Sequence, residues 1–322
     1  MERLISPALY CPFSSQINKN IDSLEEYSLE WVLGFNLLAN ESSYQRFCKS
    51  KFFLIAATTY PYCNFQELKI ANDWLSWLFI WDDQCDLSDL KTKPELLKGI
   101  HKRFIEILNG AEVTSHDIPL SRALSNLRAR MLEKASLKWL NYFICGFEKY
   151  LYGCFEEANN RVDGIVPDTE TYIAMRRLSA GADVALPLIE LCDQLIIPDF
   201  LRKQDIFNQL NEITNNLLGW SNDIFSLSRE LATGHVHNLV FVLHRQHKIS
   251  LEEAMKLATK MHDHEIQKLV DLEASIPSFG EEIDAELAKY ILGIHAWIRG
   301  NLDWYSFTAR YKTVEMLELA KY

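Results

Sequence analysis

The chain has 322 residues, 48% hydrophobic and 24% charged, ordinary globular proportions that allow a sizeable core without disulfides. A formal charge of −11 with no basic stripe argues against a nucleic-acid partner, whose phosphates demand clustered Lys and Arg. Seven scattered cysteines with no C-x-x-C pair argue against a disulfide framework and point to a reducing, cytoplasmic location. The opening MERLISPALYCPFSS lacks a basic region before a long apolar run, so no signal peptide is expected, and no stretch reaches the roughly 18 apolar residues of a membrane span.

In chain order, Ser23 and Glu26 form a capping-box pattern, followed at helical spacing by Leu24, Tyr27, Trp31, Phe35 and Leu38. A long helix is predicted over 65–87, and Pro94 opens another that stops near Asn109-Gly110. Further helical segments are expected over 120–157, 169–195, 199–230, 236–245, 250–274 and 280–317, with loops at 88–93, 110–119, 158–168, 231–236 and 275–280. Alternation bounded by hairpin turns is missing, as are repeats and linker-like tracts. The expectation is an all-α fold, one domain over 1–322, built as a bundle of about ten helices.

The string LFIWDDQCDL ends the first long helix with Asp82, Asp83 and Asp86. Residues four apart share a helix face, so Asp82 and Asp86 stack, while Asp83 is turned by about 100°. Three carboxylates with no cation within a turn repel one another unless a hard cation joins them, and Mg²⁺ typically takes one or two carboxylates plus waters and substrate phosphates. A solvated acidic helix end is the competing reading. Phe79, three and four residues earlier, puts an aromatic ring below the carboxylates and favours a site.

The string GWSNDIFSLSRELATGHVHNL carries Asn222, Ser226 and Glu230 at i, i+4 and i+8, within an arc of about 80° and a length of about 12 Å. An amide oxygen, a hydroxyl and a carboxylate on one stripe make an all-oxygen chelate suited to the same cation; a plain polar helix face is the alternative.

Together, D-D-x-x-D and N-D-x-x-S-x-x-R-E in an all-helical chain resemble the class I terpene synthase family of microbial type, a resemblance that also takes in the GHVHNL segment and the Arg310-Tyr311 pair. The resemblance implies that Asp82, Asp83 and Asp86 bind two Mg²⁺ ions and that Asn222, Ser226 and Glu230 bind a third. It implies that Arg310, Tyr311 and Arg229 reach the diphosphate of an isoprenyl substrate, and that homodimers form. Elongating prenyltransferases of similar fold carry a second aspartate-rich motif, and squalene and phytoene synthases pair two D-x-x-x-D motifs. The Asn and Ser of the second site therefore favour cyclisation over coupling.

Between the two strings lies TYIAMRRLSAGADVALPLIEL, where Gly181 interrupts the helical pattern and Pro187 cannot donate an N–H to the carbonyl of Asp183. A structural kink would account for this break. The family places a diphosphate-sensing arginine, a linker and a small effector residue before such a break. That makes Arg177 the expected sensor, Ala180 the linker and Gly181 the effector, with Arg176 the competing sensor and Ala180 departing from the usual polar linker.

A carbocation formed on loss of diphosphate needs aromatic faces and exclusion of water. Phe79 and Trp304 are the expected pocket aromatics, with Trp297, Trp304 and Tyr311 recurring every seven residues, and Phe52, Phe53, Tyr152 and Trp220 are weaker nominees. The histidine pairs 235/237 and 262/264 are two apart and so face different ways on a helix, which disfavours zinc. The resulting expectation is a Mg²⁺-dependent cyclase acting on farnesyl diphosphate. The alternatives are a cyclase of geranylgeranyl diphosphate, a prenyl-coupling transferase and a non-catalytic all-α binding protein.

Overall fold

The computed structural model describes residues 7–233 and 236–312, and among the described residues the regular elements are helices. The chain begins with α1 (Ile21–Gly34), α2 (Glu41–Ser50) and α3 (Phe52–Thr59). Asn40 and Ser43 cap each other's backbone at the start of α2, and the chain turns into α3 at Lys51, whose φ of 52° is left-handed. The long α4 (Phe65–Leu87) follows. Its Trp74, Trp77 and Trp81 are fully buried and tile with Phe104, Phe143 and Phe147, so much of the aromatic content fills the wall behind α4.

Helices α5 (Pro94–Leu108) and α6 (Pro119–Leu132) both begin on proline, whose missing N–H is harmless in a first turn. Next is α7 (Leu137–Asp163), which starts where the Ser136 side chain accepts the Trp139 N–H and stops at Gly164 with φ 66°. A broken rod then runs as α8 (Thr169–Ser179), α9 (Ala182–Ala185) and α10 (Pro187–Asp193). It lies close along α7 because Gly146 and Gly153 lack side chains. A Cβ on either would fall 2.2 Å from the Asp183 carbonyl oxygen or 2.6 Å from the Ser179 amide nitrogen. The remaining helices are α11 (Asp199–Arg202), α12 (Asp205–Thr233), α13 (Leu239–His247), α14 (Leu251–Ala274) and α15 (Glu281–Phe307).

Helix α3 packs against α4 and α15, α12 against α14 and α15, and α7 against α5 and α8. A second apolar cluster around Tyr172, Trp220, Leu239, Leu243 and Met255 ties α8, α12, α13 and α14 together. No helix among the described residues is long and apolar enough to cross a membrane.

Several boundaries differ from expectation for identifiable reasons. Helix α1 starts at Ile21, so Ser23 lies inside it and does not cap it. The segment expected over 120–157 divides between Leu132 and Leu137, and α7 runs on into the loop expected at 158–168. Helices α2 and α3 were not expected at all, because α3 (FFLIAATT) is apolar on every face and shows no period. Helix α15 ends at Phe307 instead of 317. There Thr308 turns extended, its Oγ1 donates to the Ser50 carbonyl at 2.8 Å, and the Ala309 N–H donates to the Lys49 carbonyl at 3.0 Å.

Candidate active site

The two oxygen-rich strings end up facing one cavity. Its apolar wall includes Ile55, Leu75, Leu78, Phe79, Leu218 and Trp304, and its polar side includes Asp82, Asp86, Arg161, Arg176, Arg229 and Glu230. Asn222, Gly181 and Tyr311 also line it, whereas Asp83, Ser226 and Arg310 are not among the residues that line it.

At the end of α4 the carboxylates are paired with arginines from distant segments. Arg310 donates through Nη2 to Asp82 at 2.7 Å and through Nη1 to Asp83 at 2.8 Å. Arg229 reaches Asp83 at 3.1 Å and Asp86 at 3.9 Å, and Arg161 lies 3.6 Å from Asp86. Burial, and then the charge of Asp82, push the Asp86 carboxyl well above the usual carboxylate range. The local string shows no cation; the tertiary fold brings three.

On α12, Asn222 accepts from Arg176 Nη2 at 2.9 Å and donates to the Tyr311 hydroxyl at 2.9 Å. Glu230 accepts from Asn238 Nδ2 at 2.9 Å, and its carboxyl is pushed up to about 7 by burial and then by the charge of Asp223. Ser226 stands beside Glu230 and helps keep it charged, yet its buried Oγ makes no hydrogen bond of ordinary geometry among the described residues.

One helix position separates Arg176 from Arg177, a turn of about 100°, and the two have opposite surroundings. Arg176 lines the cavity. Arg177 points to a groove between α8, α12 and α14, where it donates to Asn216 at 2.8 Å and pairs with Glu212 at 2.8 Å. Of the two candidate arginines, only Arg176 borders the cavity; Arg177, the expected one, does not. Gly181 and Ala180 do border the cavity, Gly181 at a φ of 78°. The Gly181 carbonyl is engaged by the N–H groups of Val184 and Ala185, and the Asp183 carbonyl abuts Gly146. Neither carbonyl is held free for the cavity.

Phe79 and Trp304 both line the cavity, 5.2 Å apart. Phe52 stacks behind Phe79 at 4.4 Å, and the Arg310 guanidinium lies 5.1 Å from the Phe79 ring. The Trp304 Nε1 donates to the carbonyls of Ser50 and Lys51, which fixes the indole. Tyr311 is not on the stripe of α15; the chain folds back and sets it against Trp304 and Tyr305. Of the weaker nominees, Tyr152 is exposed and Trp220 belongs to the second apolar cluster.

Arg161, Glu157, Asn301 and Tyr305 line the cavity without having been singled out, and so does His237, weighed above only as a zinc ligand. Arg161 falls where a loop is expected and α7 in fact continues, whereas Glu157 lies in the expected helix with no local motif to mark it; Asn238, a common helix-capping residue before α13, is visible as a cap alone. Gly234 and His235 of the GHVHNL segment lie outside the described residues.

Among the described residues, no three acidic, histidine or cysteine side chains form a cage for a metal by themselves. The donors instead comprise carboxylates, one amide oxygen and one hydroxyl, a set that suits a hard cation completing its shell with water and phosphate oxygens. The buried, unbonded Ser226 Oγ is the donor such a cation would satisfy. The residues fit a divalent ion.

Residues 73–268 match a family model described as "Terpene synthase family 2, C-terminal metal binding". The chain is 58% identical to a germacrene A synthase of Nostoc punctiforme over 100% of both chains. It is 35% identical to a (+)-T-muurolol synthase of Roseiflexus castenholzii, over 94% of this chain and 93% of that one. The crystal structure of SVS_A2, a protein from ancestral sequence reconstruction, matches with a TM-score of 0.86 at 25% identity over 94% of this chain and 90% of its own. Fold, facing stripes and full-length relatives agree: the chain belongs to the class I terpene synthases, a family of metal-dependent lyases.

Proposed function

We propose that this chain is a Mg²⁺-dependent sesquiterpene cyclase that ionises farnesyl diphosphate, cyclises the resulting allylic cation and releases diphosphate. The observation that carries this is the meeting of two oxygen-rich stripes and a set of arginines at one end of a cavity whose other end is apolar and aromatic. The substrate length is supported by the Roseiflexus castenholzii relative, whose name specifies cyclisation of (2E,6E)-farnesyl diphosphate. The product of the Nostoc punctiforme relative, germacrene A, is the first candidate product.

Asp82, Asp83 and Asp86 on one side, and Asn222, Ser226 and Glu230 on the other, would hold three Mg²⁺ ions. Bound there, the ions supply positive charge that makes diphosphate a better leaving group. Arg176, Arg229, Arg310 and Tyr311 donate hydrogen bonds to the same group, so that an acidic protein presents local positive charge where negative charge develops. Arg176 is the sensor in this reading, because it alone of the arginine pair on α8 reaches the cavity. Its pull on the last turn of α8 would move the break at Gly181 that follows. Phe79 and Trp304 offer ring faces to the cation and keep water from it.

Incubation with Mg²⁺ and each of geranyl, farnesyl and geranylgeranyl diphosphate, followed by gas chromatography with mass detection, tests the reading. A cyclic sesquiterpene from farnesyl diphosphate, lost on adding a chelator, is expected. A cyclic diterpene as the main product would move the substrate to geranylgeranyl diphosphate, an elongated diphosphate would make the chain a transferase, and no turnover of any substrate would favour a binding protein.

A further inference from the structure

We propose that Asp223, the aspartate directly after the metal-stripe asparagine, is a positioning residue that aims Arg176 at the substrate diphosphate. This rests on the reading of Arg176 as the sensor.

Asp223 is one position beyond Asn222 and so is turned by about 100° around α12. Asn222 borders the cavity; Asp223 does not, and is 1% exposed between α12, α8 and the start of α13. Its Oδ1 accepts Arg176 Nε at 2.9 Å. Its Oδ2 accepts the Tyr172 hydroxyl at 2.6 Å and the Leu239 N–H at 3.1 Å. Both carboxylate oxygens are thus occupied by the protein, and the side chain is turned away from the cavity. Its main-chain carbonyl accepts Asn238 Nδ2 at 2.7 Å, and that same nitrogen donates to Glu230. One residue therefore joins the arginine on α8 to the helix that carries the second stripe.

A guanidinium has five N–H groups. In Arg176 the Nε–H goes to Asp223, one Nη2–H goes to Asn222 at 2.9 Å, and one Nη1–H reaches Ser179 Oγ at 3.4 Å. One N–H on each Nη remains, on a side chain that borders the cavity. Anchoring at Nε orders the long side chain before the ligand arrives, so diphosphate meets a fork already in place. Tyr172, one helical turn before Arg176, braces the other carboxylate oxygen and locks α8 to α12 at this level. The anchored arginine and the turn of α8 leading to Gly181 can then move together.

The test is a double-variant cycle on farnesyl diphosphate turnover at saturating Mg²⁺, with Arg176→Ala, Asp223→Asn and both together. Asp223→Asn is expected to lower kcat about a hundredfold while KM moves less than about threefold, the sign of a contact used in the transition state. Adding it to Arg176→Ala should lower kcat no further. Should Asp223→Asn fail to fold, Tyr172→Phe carries the same test. Its smaller loss, about fivefold, should vanish in the Arg176→Ala background. Effects that multiply in the double variants, or an Asp223→Asn enzyme with wild-type kcat beside an inactive Arg176→Ala, would overturn the proposal alone. A fully active Arg176→Ala would overturn the sensor reading, and this proposal with it.

Discussion

The two oxygen-rich stripes serve one cavity and are supported in opposite ways. At the end of α4, three carboxylates are balanced by Arg161, Arg229 and Arg310, each from a different segment, and Asp82 is 48% exposed. On α12 the stripe has one carboxylate, the half-buried Glu230, which accepts from the amide of Asn238, with Ser226 beside it and Asn222 hydrogen-bonded to Arg176 and Tyr311. The first stripe is a charge-balanced rim, where an arriving cation meets carboxylates already paired. The second is a mostly neutral row whose amide is already held by hydrogen bonds. Similar ligand chemistry can thus rest on different physics, and variants should separate activity from stability differently on the two sides.

The largest expected effect exposes that contrast. Glu230→Gln removes the only carboxylate of the second stripe and should lower kcat/KM by about 10²–10³. Its melting temperature should hold or rise, because the change relieves a carboxylate that burial has pushed up to about 7. Asp83→Asn should also impair turnover, but with a lower melting temperature. It takes a partner at 2.8 Å from Arg310, whose side chain is only 4% exposed, a loss of about 2 kcal/mol. Steady-state kinetics and thermal melts of the two variants check this. Melting shifts of the same sign and size would erase the distinction.

A smaller effect concerns how Arg310 reaches the rim. Thr308→Val deletes the hydrogen bond to the Ser50 carbonyl and the one that Thr308 Oγ1 accepts from the Arg310 N–H. The arm should loosen, lowering kcat/KM roughly fivefold, the equivalent of about 1 kcal/mol, with little change at the second stripe. Unchanged kinetics would mean that Arg310 is placed by its carboxylates alone.

The smallest effect tests whether acid sensitivity belongs to the cavity or to the wall behind α4. Burial holds His101, set against Trp81, down to about 4. A histidine depressed in the fold contributes stability that is present above its ordinary value of 6.5 and is lost as pH falls from there toward 4. Melting temperatures followed over that window should decline less steeply in His101→Leu than in the wild type.

How legible these features were depended on how local their causes are. The six proposed ligands sit on two helices with regular spacing, so the string itself displays them. The choice between Arg176 and Arg177 was not legible, since both lie in the same turn and only the packing of α8 on α12 decides which one sees the cavity. The place of Asp223 was not legible, because nothing local reveals Tyr172 and Leu239 on its far side. The stop of α15 was invisible for the same reason: carbonyls at the turn between α2 and α3 end it from across the fold. Trp74, Trp77 and Trp81 show the converse, aromatics abundant in the sequence whose work is packing.

The most direct test of the account is the kcat for farnesyl diphosphate of Arg176→Ala beside Arg177→Ala, two variants one residue apart. The account expects Arg176→Ala to lose turnover by about a hundredfold or more and Arg177→Ala to stay within about threefold of the wild type. The reverse order, or equal losses, would contradict it.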